Sequence, residues 1–148
     1  PHPDAFAVLV LELGLGLRRN EADKAEWAWV NKDRAGRHFL EVRETDLFKP
    51  KSNRSRIIPI EATVWELLAG VKDDDRFIVP GPKRPGQRGQ SSPKSSVYRC
   101  ERAHRILVAW LRVQGVDDPK PCHRLRKEFG SYVATSFGIF QEIGRAHV

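Results

Sequence analysis

Methionine is absent from all 148 residues, and cysteine and tyrosine occur only twice each. Two cysteines cannot build a disulfide framework. No apolar run approaches the ~18 residues that a membrane span needs. The longest, residues 5–11, is followed at once by Glu12. The opening Pro1-His2-Pro3-Asp4 lacks the basic-then-apolar order of a secretory signal. Acidic residues are scarce in the second half of the chain. Residues 76–148 hold 14 Lys+Arg and 5 Asp+Glu, a net of +9, whereas residues 1–75 hold 12 and 14, a net of −2. What is present fits one folded domain: 40% hydrophobic and 30% charged residues exclude a wholly disordered chain. A chain of this length buries roughly 70% of its unfolded surface. The expectation is a soluble, cytoplasmic, basic domain with no membrane partner. Its C-terminal half carries the electrostatic footprint for a polyanion, nucleic acid first. A basic surface that serves only solubility is the alternative.

Both termini carry signs of truncation. A translated gene product begins with methionine, so a missing or processed N-terminus is expected. At the other end, Ile143-Gly144-Arg145-Ala146-His147-Val148 back-translates to ATC GGA AGA GCA CAC GTC. That string matches a widely used sequencing adapter, whose next codon is a stop. Residues 143–148 are therefore expected to be an adapter-derived tail, with residues 1–142 as the domain. No chemistry is assigned to Arg145 or His147.

Residues 4–17 are Leu/Val-rich and nearly apolar all round, which predicts a buried helix ending at Gly14 and Gly16. Asn20 is a good N-cap for a short helix over residues 21–25. Residues 27–30 and 37–42 read as strands joined by a turn at Asp33-Arg34-Ala35-Gly36. Residues 55–60 read as a third strand, with Pro59 near a sheet edge. Residues 61–71 predict a helix with Val64, Leu67, Leu68 and Val71 on one face, and Asp73-Asp74-Asp75 a solvated loop. Residues 80–96, rich in Pro, Gly, Ser and Gln, predict a mobile loop. Residues 97–114 predict an amphipathic helix with Ala103, Ile106, Leu107 and Trp110 as its stripe and Arg102, Arg105 and Arg112 opposite. Residues 122–137 predict a last helix, stopped by Gly138. The expected class is α+β: mainly helical, with a small three-stranded antiparallel sheet.

Three motifs stand out in order: Gly16-Leu17-Arg18-Arg19-Asn20-Glu21, then Lys51-Ser52-Asn53-Arg54-Ser55-Arg56-Ile57-Ile58-Pro59, then His123-Arg124-Leu125-Arg126, the last followed by a helical stretch over residues 129–137. Each alone is weak. Arg18 by itself is an ordinary arginine at a helix start, and His123 with Arg126 an ordinary capping pair. Together, in this order and spacing, they resemble the tyrosine recombinase (phage integrase) family across nearly the whole chain. The resemblance implies that family's catalytic-domain fold and assigns catalytic positions to Arg18, Lys51, His123 and Arg126. Arg19, Arg54, Arg56, Arg124 and Lys127 become candidate DNA-phosphate contacts. It also implies a double-stranded DNA partner, self-association on paired DNA sites by a full-length parent, and a prokaryotic or mobile-element setting. No cofactor is implied.

The residue types suit phosphoryl transfer. Negative charge gathers on the non-bridging oxygens of a five-coordinate phosphorus. Two guanidiniums such as Arg18 and Arg126 grip those oxygens with forked donors and stay charged. One oxyanion donor of this sort is worth roughly 3–4 kcal/mol in other enzymes. Lys51 on a hairpin would protonate the leaving 5′ oxygen as general acid. His123, one helical turn before Arg126, would exchange a proton near neutral pH. Arginines then take the place that metal ions hold in other phosphoryl-transfer sites.

The family's nucleophile is a tyrosine downstream of His-x-x-Arg and beyond a Leu-Gly-His-type segment. Tyr98 precedes the motif and Tyr132 lies six residues after Arg126, so neither matches that position. The chain by itself is therefore expected to form no covalent DNA intermediate. Zinc is not expected either. Cys100 and His104 are four apart and Cys122-His123 follow, but paired-ligand spacings are missing, and adjacent Cys and His rarely converge on one ion. Trp27, Trp29, Trp65 and Trp110 are read as core rather than base-stacking platforms. Two rival readings remain: a type IB topoisomerase-like enzyme, and a non-catalytic DNA- or RNA-binding module.

Overall fold

A computed structural model of the chain describes residues 2–50, 55–81 and 98–128. Residues 82–96 of the predicted 80–96 loop, Lys51, Arg54, Tyr132, the second half of the last helix and the tail lie outside them.

The first helix, α1, spans Pro3–Leu9 and runs directly into a π-helical turn, Val10–Gly14. Pro3 sits at the helix start, where its missing N–H is no loss. The extra residue per turn in the π segment turns Glu12 wholly inward and leaves Leu13 half-exposed. The segment closes at Gly16, whose φ of +69° lies in the left-handed region. Its amide donates to the Glu12 carbonyl, and the Leu17 amide donates to the Leu11 carbonyl.

α2 spans Arg19–Lys24, starting two residues before the expected helix. The cap is Arg18, in extended conformation, because the Glu21 carboxylate at the third helical position accepts the Arg18 backbone N–H at 2.8 Å. That shift puts the Arg18 side chain at the helix mouth. Where a strand was expected at residues 27–30, Trp27–Trp29 form a 3-10 turn. In a strand, side chains two apart would share a face. The turn separates them: Trp29 is fully buried against Phe48, with ring centroids 5.5 Å apart, while Trp27 is only partly buried.

The sheet is three-stranded and antiparallel, in the order β1 (Val30–Lys32), β2 (His38–Val42), β3 (Arg56–Pro59). The turn between β1 and β2 falls where expected. Asp33 Oδ1 accepts the amides of Ala35 and Arg37, and Gly36 takes a φ of +83°. β3 is an edge strand, and Pro59, which cannot donate to a ladder, stands opposite Phe39. α3 (Ala62–Ala69) buries Leu68, but Leu67 is 44% exposed and does not join the inward face. In the Asp73–Asp75 loop the carboxylates of Asp73 and Asp75 accept the amides of Asp75 and Phe77.

α4 spans Glu101–Val113 and packs along α1. Its buried line is Ala103, Leu107 and Leu111, whereas Trp110, expected on the stripe, is 48% exposed. Arg102 ties the helices together through Asp4 at 2.6 Å. A last helix, α5, begins at Pro121, covers the described residues 121–128 and buries Cys122 and Leu125. The core joins α1, the π turn, the sheet, α3, α4 and α5 around Leu11, Leu17, Trp29, Leu40, Leu68 and Leu107. Burying each such side chain contributes about 1.5–3 kcal/mol.

One buried polar network fixes how α2 meets α4. Asp23 accepts the backbone amides of Arg99 and Cys100 at 3.1 and 2.8 Å and pairs with Lys24 at 3.2 Å. The Arg99 guanidinium donates to the Val79 carbonyl. A carboxylate on the amides that open a helix is satisfied by hydrogen bonds and by the helix dipole together. This network brings Tyr98, at the approach to α4, beside α2.

Among the described residues, no helix is long and apolar enough to cross a membrane. The mixed helical chain with its small antiparallel sheet agrees with the expected α+β class.

Candidate functional site

The cleft forms where the mouth of α2, the loop after β2 and the start of α5 meet. Arg18 comes from the cap of α2, Lys49 from the loop, and His123 and Arg126 from α5. The enclosed space is about 370 Å3. His123 and Arg126 lie three apart on α5, so both face the same side. Arg126 is partly buried, and its Nε donates to the Gly16 carbonyl at 3.0 Å. The left-handed turn at Gly16 is what presents that carbonyl.

Glu21 organises the charges. It is buried, and besides capping α2 it accepts Nη2 of Arg56, the first residue of β3, at 2.9 Å. The Arg18 guanidinium stands 3.9 Å from its other oxygen. Burial holds the Arg126 guanidinium below the ordinary arginine range, Arg18 and Arg56 push it further down, and Glu21 pulls it back. Two guanidiniums thus contact one carboxylate, and the third, Arg126, feels it through space. An anion in the cleft would convert their mutual repulsion into attraction. Nothing in the arrangement favours a cation at this position.

Arg19 takes a different part. Its guanidinium lies 3.7 Å from the centre of the Tyr98 ring, a cation–π contact that places the Tyr98 side chain on the cleft wall. His123 is exposed at the cleft edge.

Of the candidate residues, the fold brings together Arg18, Arg19, Arg56, His123 and Arg126 from three distant stretches of chain. Arg124 points elsewhere, bonded to Glu128 at 2.9 Å and lying 3.7 Å from Asp118. Lys127 is exposed and does not line the cleft. Lys51 and Arg54 fall outside the described residues. Sequence reasoning passed over Lys49, Tyr98 and Glu21 as members of the site. Glu21 was visible as the acid that follows Arg18-Arg19-Asn20, but only the fold shows it holding arginines from two elements. Lys49 carried no signal beyond being a second lysine in the same loop.

A scan against models of protein families matches none to this chain, and a search of curated proteins also returns no match.

Proposed function

We propose that this chain is the catalytic domain of a tyrosine-recombinase-like protein, which binds double-stranded DNA and holds a backbone phosphate in the cleft. The observation that supports this reading is the meeting of Arg18, Arg126 and His123 in one cationic cleft, with Arg56 sharing Glu21. These residues were singled out by motif order alone, from positions more than 100 residues apart. Arg18 and Arg126 would grip the non-bridging oxygens, and His123 at the rim would move a proton. The general acid expected at Lys51 lies outside the described residues. The parent protein would cut and rejoin DNA strands through a 3′-phosphotyrosyl link, as a synapsed oligomer on paired sites. Integration or excision of a mobile element is the natural setting.

A second reading keeps the same cleft as a phosphate grip without chemistry. It is favoured by the positions of both tyrosines relative to His123-Arg124-Leu125-Arg126. A type IB topoisomerase-like enzyme would use the same residue set.

Duplex binding by the chain, followed by fluorescence anisotropy across a salt series, tests the shared part. Arg18→Ala and Arg126→Ala should each make the salt slope shallower by about one unit. Unchanged slopes in both would overturn the cleft as the phosphate site. In a protein that joins this domain to a nucleophilic tyrosine, either substitution should abolish cleavage and spare most binding. Cleavage that survives both losses would overturn the catalytic roles of Arg18 and Arg126, and no cleavage by the unsubstituted protein would leave only the binding-module reading.

A further inference from the structure

Behind the cleft lies a second group of side chains with a different chemistry. Glu12 comes from the π turn, His104 from α4 and Cys122 from the start of α5. One oxygen, one nitrogen and one sulfur of these residues lie within 4.8 Å of one another. The Cys122 Sγ is 3.6 Å from the His104 Nδ1. Zinc bonds of about 2.3 Å to sulfur and about 2.0–2.1 Å to nitrogen, meeting at a tetrahedral angle, set those two atoms about 3.6 Å apart.

The decisive feature is Glu12. Its side chain has no solvent exposure, and beside its carboxylate oxygens the Cys122 thiol is the one hydrogen-bonding side chain among the described residues. Buried carboxylates in native proteins are paired, hydrogen-bonded or bound to an ion. The guanidiniums of Arg19 and Arg126 act on it only through space. The π turn is what aims it inward, and π segments recur at functional sites.

We propose that Glu12, His104 and Cys122 bind a zinc ion. A thiolate and an imidazole select zinc, cobalt or copper over magnesium or calcium, and a carboxylate completes a borderline-soft set. Three protein ligands leave a fourth position. His104 and Cys122 also line a groove of about 640 Å3 between α4 and the start of α5, which gives an ion a way in. The ion would tie the π turn that leads to Gly16 and Arg18, the middle of α4, and the α5 start that carries His123 and Arg126. It would therefore hold the cleft residues in register from the wall to which Cys122 contributes. This inference does not depend on the recombinase reading.

The sequence-based argument against zinc concerned a different set. Cys100 is directed to the Asp23 backbone and the Arg99 guanidinium, and His123 stands in the cleft. The ligand that spacing could not supply is Glu12, 92 residues before His104 in the chain.

The test is titration of the chelator-stripped 148-residue chain with Co2+. Saturation at one equivalent is expected, with a thiolate-to-cobalt charge-transfer band, the intense visible bands of tetrahedral cobalt, and full displacement by Zn2+. Glu12→Gln, His104→Gln and Cys122→Ser should each weaken metal binding by at least about 100-fold, more than loss of an outer partner of a ligand does. Cys100→Ser should leave it unchanged. Absence of a thiolate band in the wild-type chain overturns the proposal whatever the variants do. So does a band that survives Cys122→Ser and disappears in Cys100→Ser.

Discussion

Glu12→Gln, studied in the presence of a chelator, isolates the energetic burden of one buried carboxylate. Burial raises the Glu12 carboxyl from 4.5 to about 7, against the opposing hydrogen bond with the Cys122 thiol and the pull of Arg19 and Arg126. The groups that face it are Cys122 and Arg126 on α5, His104 on α4 and Arg19 on α2. Below about pH 4.5 the group is protonated in both the folded and the unfolded chain, and it contributes nothing to the pH dependence. Between about pH 4.5 and about pH 7 the unfolded chain releases the proton while the folded chain keeps it. The Glu12 contribution to stability falls across that window and levels off above it, while His104, lowered by burial from 6.5 to about 4, contributes a rise between about pH 4 and about pH 6.5 that both proteins share. At about 1.4 kcal/mol per pH unit, the gap between 4.5 and about 7 corresponds to about 3 kcal/mol. The exposed carboxyls of Asp33 and Asp46 are held low by hydrogen bonds to Arg37 and Arg76, so their effect belongs to more acidic solution. Glu12→Gln, which cannot ionise, should lose the decline. Urea unfolding of both proteins from about pH 4.5 to about pH 8 measures it. The stability difference between them should shift in favour of the glutamine variant by about 3 kcal/mol over that range. A difference that stays constant would refute the argument that burial dominates the Glu12 carboxyl.

Three further substitutions probe the scaffold of the cleft. Asp23→Ala removes the acceptor of the Arg99 and Cys100 amides and a carboxylate partner of the buried Lys24. It should destabilise the chain by about 3–5 kcal/mol in urea unfolding, with Asp23→Asn recovering part; a loss under about 1 kcal/mol would contradict the network. Gly16→Ala places a side chain on a φ of +69° and should lower stability by about 1–2 kcal/mol. The same variant should weaken duplex binding, because the Gly16 carbonyl holds Arg126; unaltered binding would separate the turn from the site. On α4, thermal melts should show Leu107→Ala costing about 2–5 kcal/mol and Trp110→Ala distinctly less, since Leu107 is buried and Trp110 half-exposed. Equal losses would mean that the expected stripe, rather than the Ala103-Leu107-Leu111 line, faces the core.

Local patterning carried a good deal of this fold. The apolar run after Pro3, the Asp33–Gly36 turn, the edge strand ending in Pro59 and the amphipathic 101–113 helix were all legible, because period, turn residues and proline act within a few positions. Motif order also picked out Arg18, His123 and Arg126, which the fold gathers into one cleft. Other features depended on contacts between distant residues. Arg18 became the cap of α2 through the Glu21 carboxylate, which also binds Arg56 from β3, a link that no local window contains. Trp27 and Trp29 left the strand pattern because only one ring fits the core beside Phe48. Trp110 and Leu67 are apolar and at helical spacing, yet they are half-exposed, because the packing of neighbouring elements selects which side of a stripe is covered. Above all, Glu12, His104 and Cys122 are 92 and 18 residues apart. Residue types and spacing determine which side chains share a helix face, but only tertiary packing decides that an inward-turned carboxylate meets an imidazole and a thiol from two other helices.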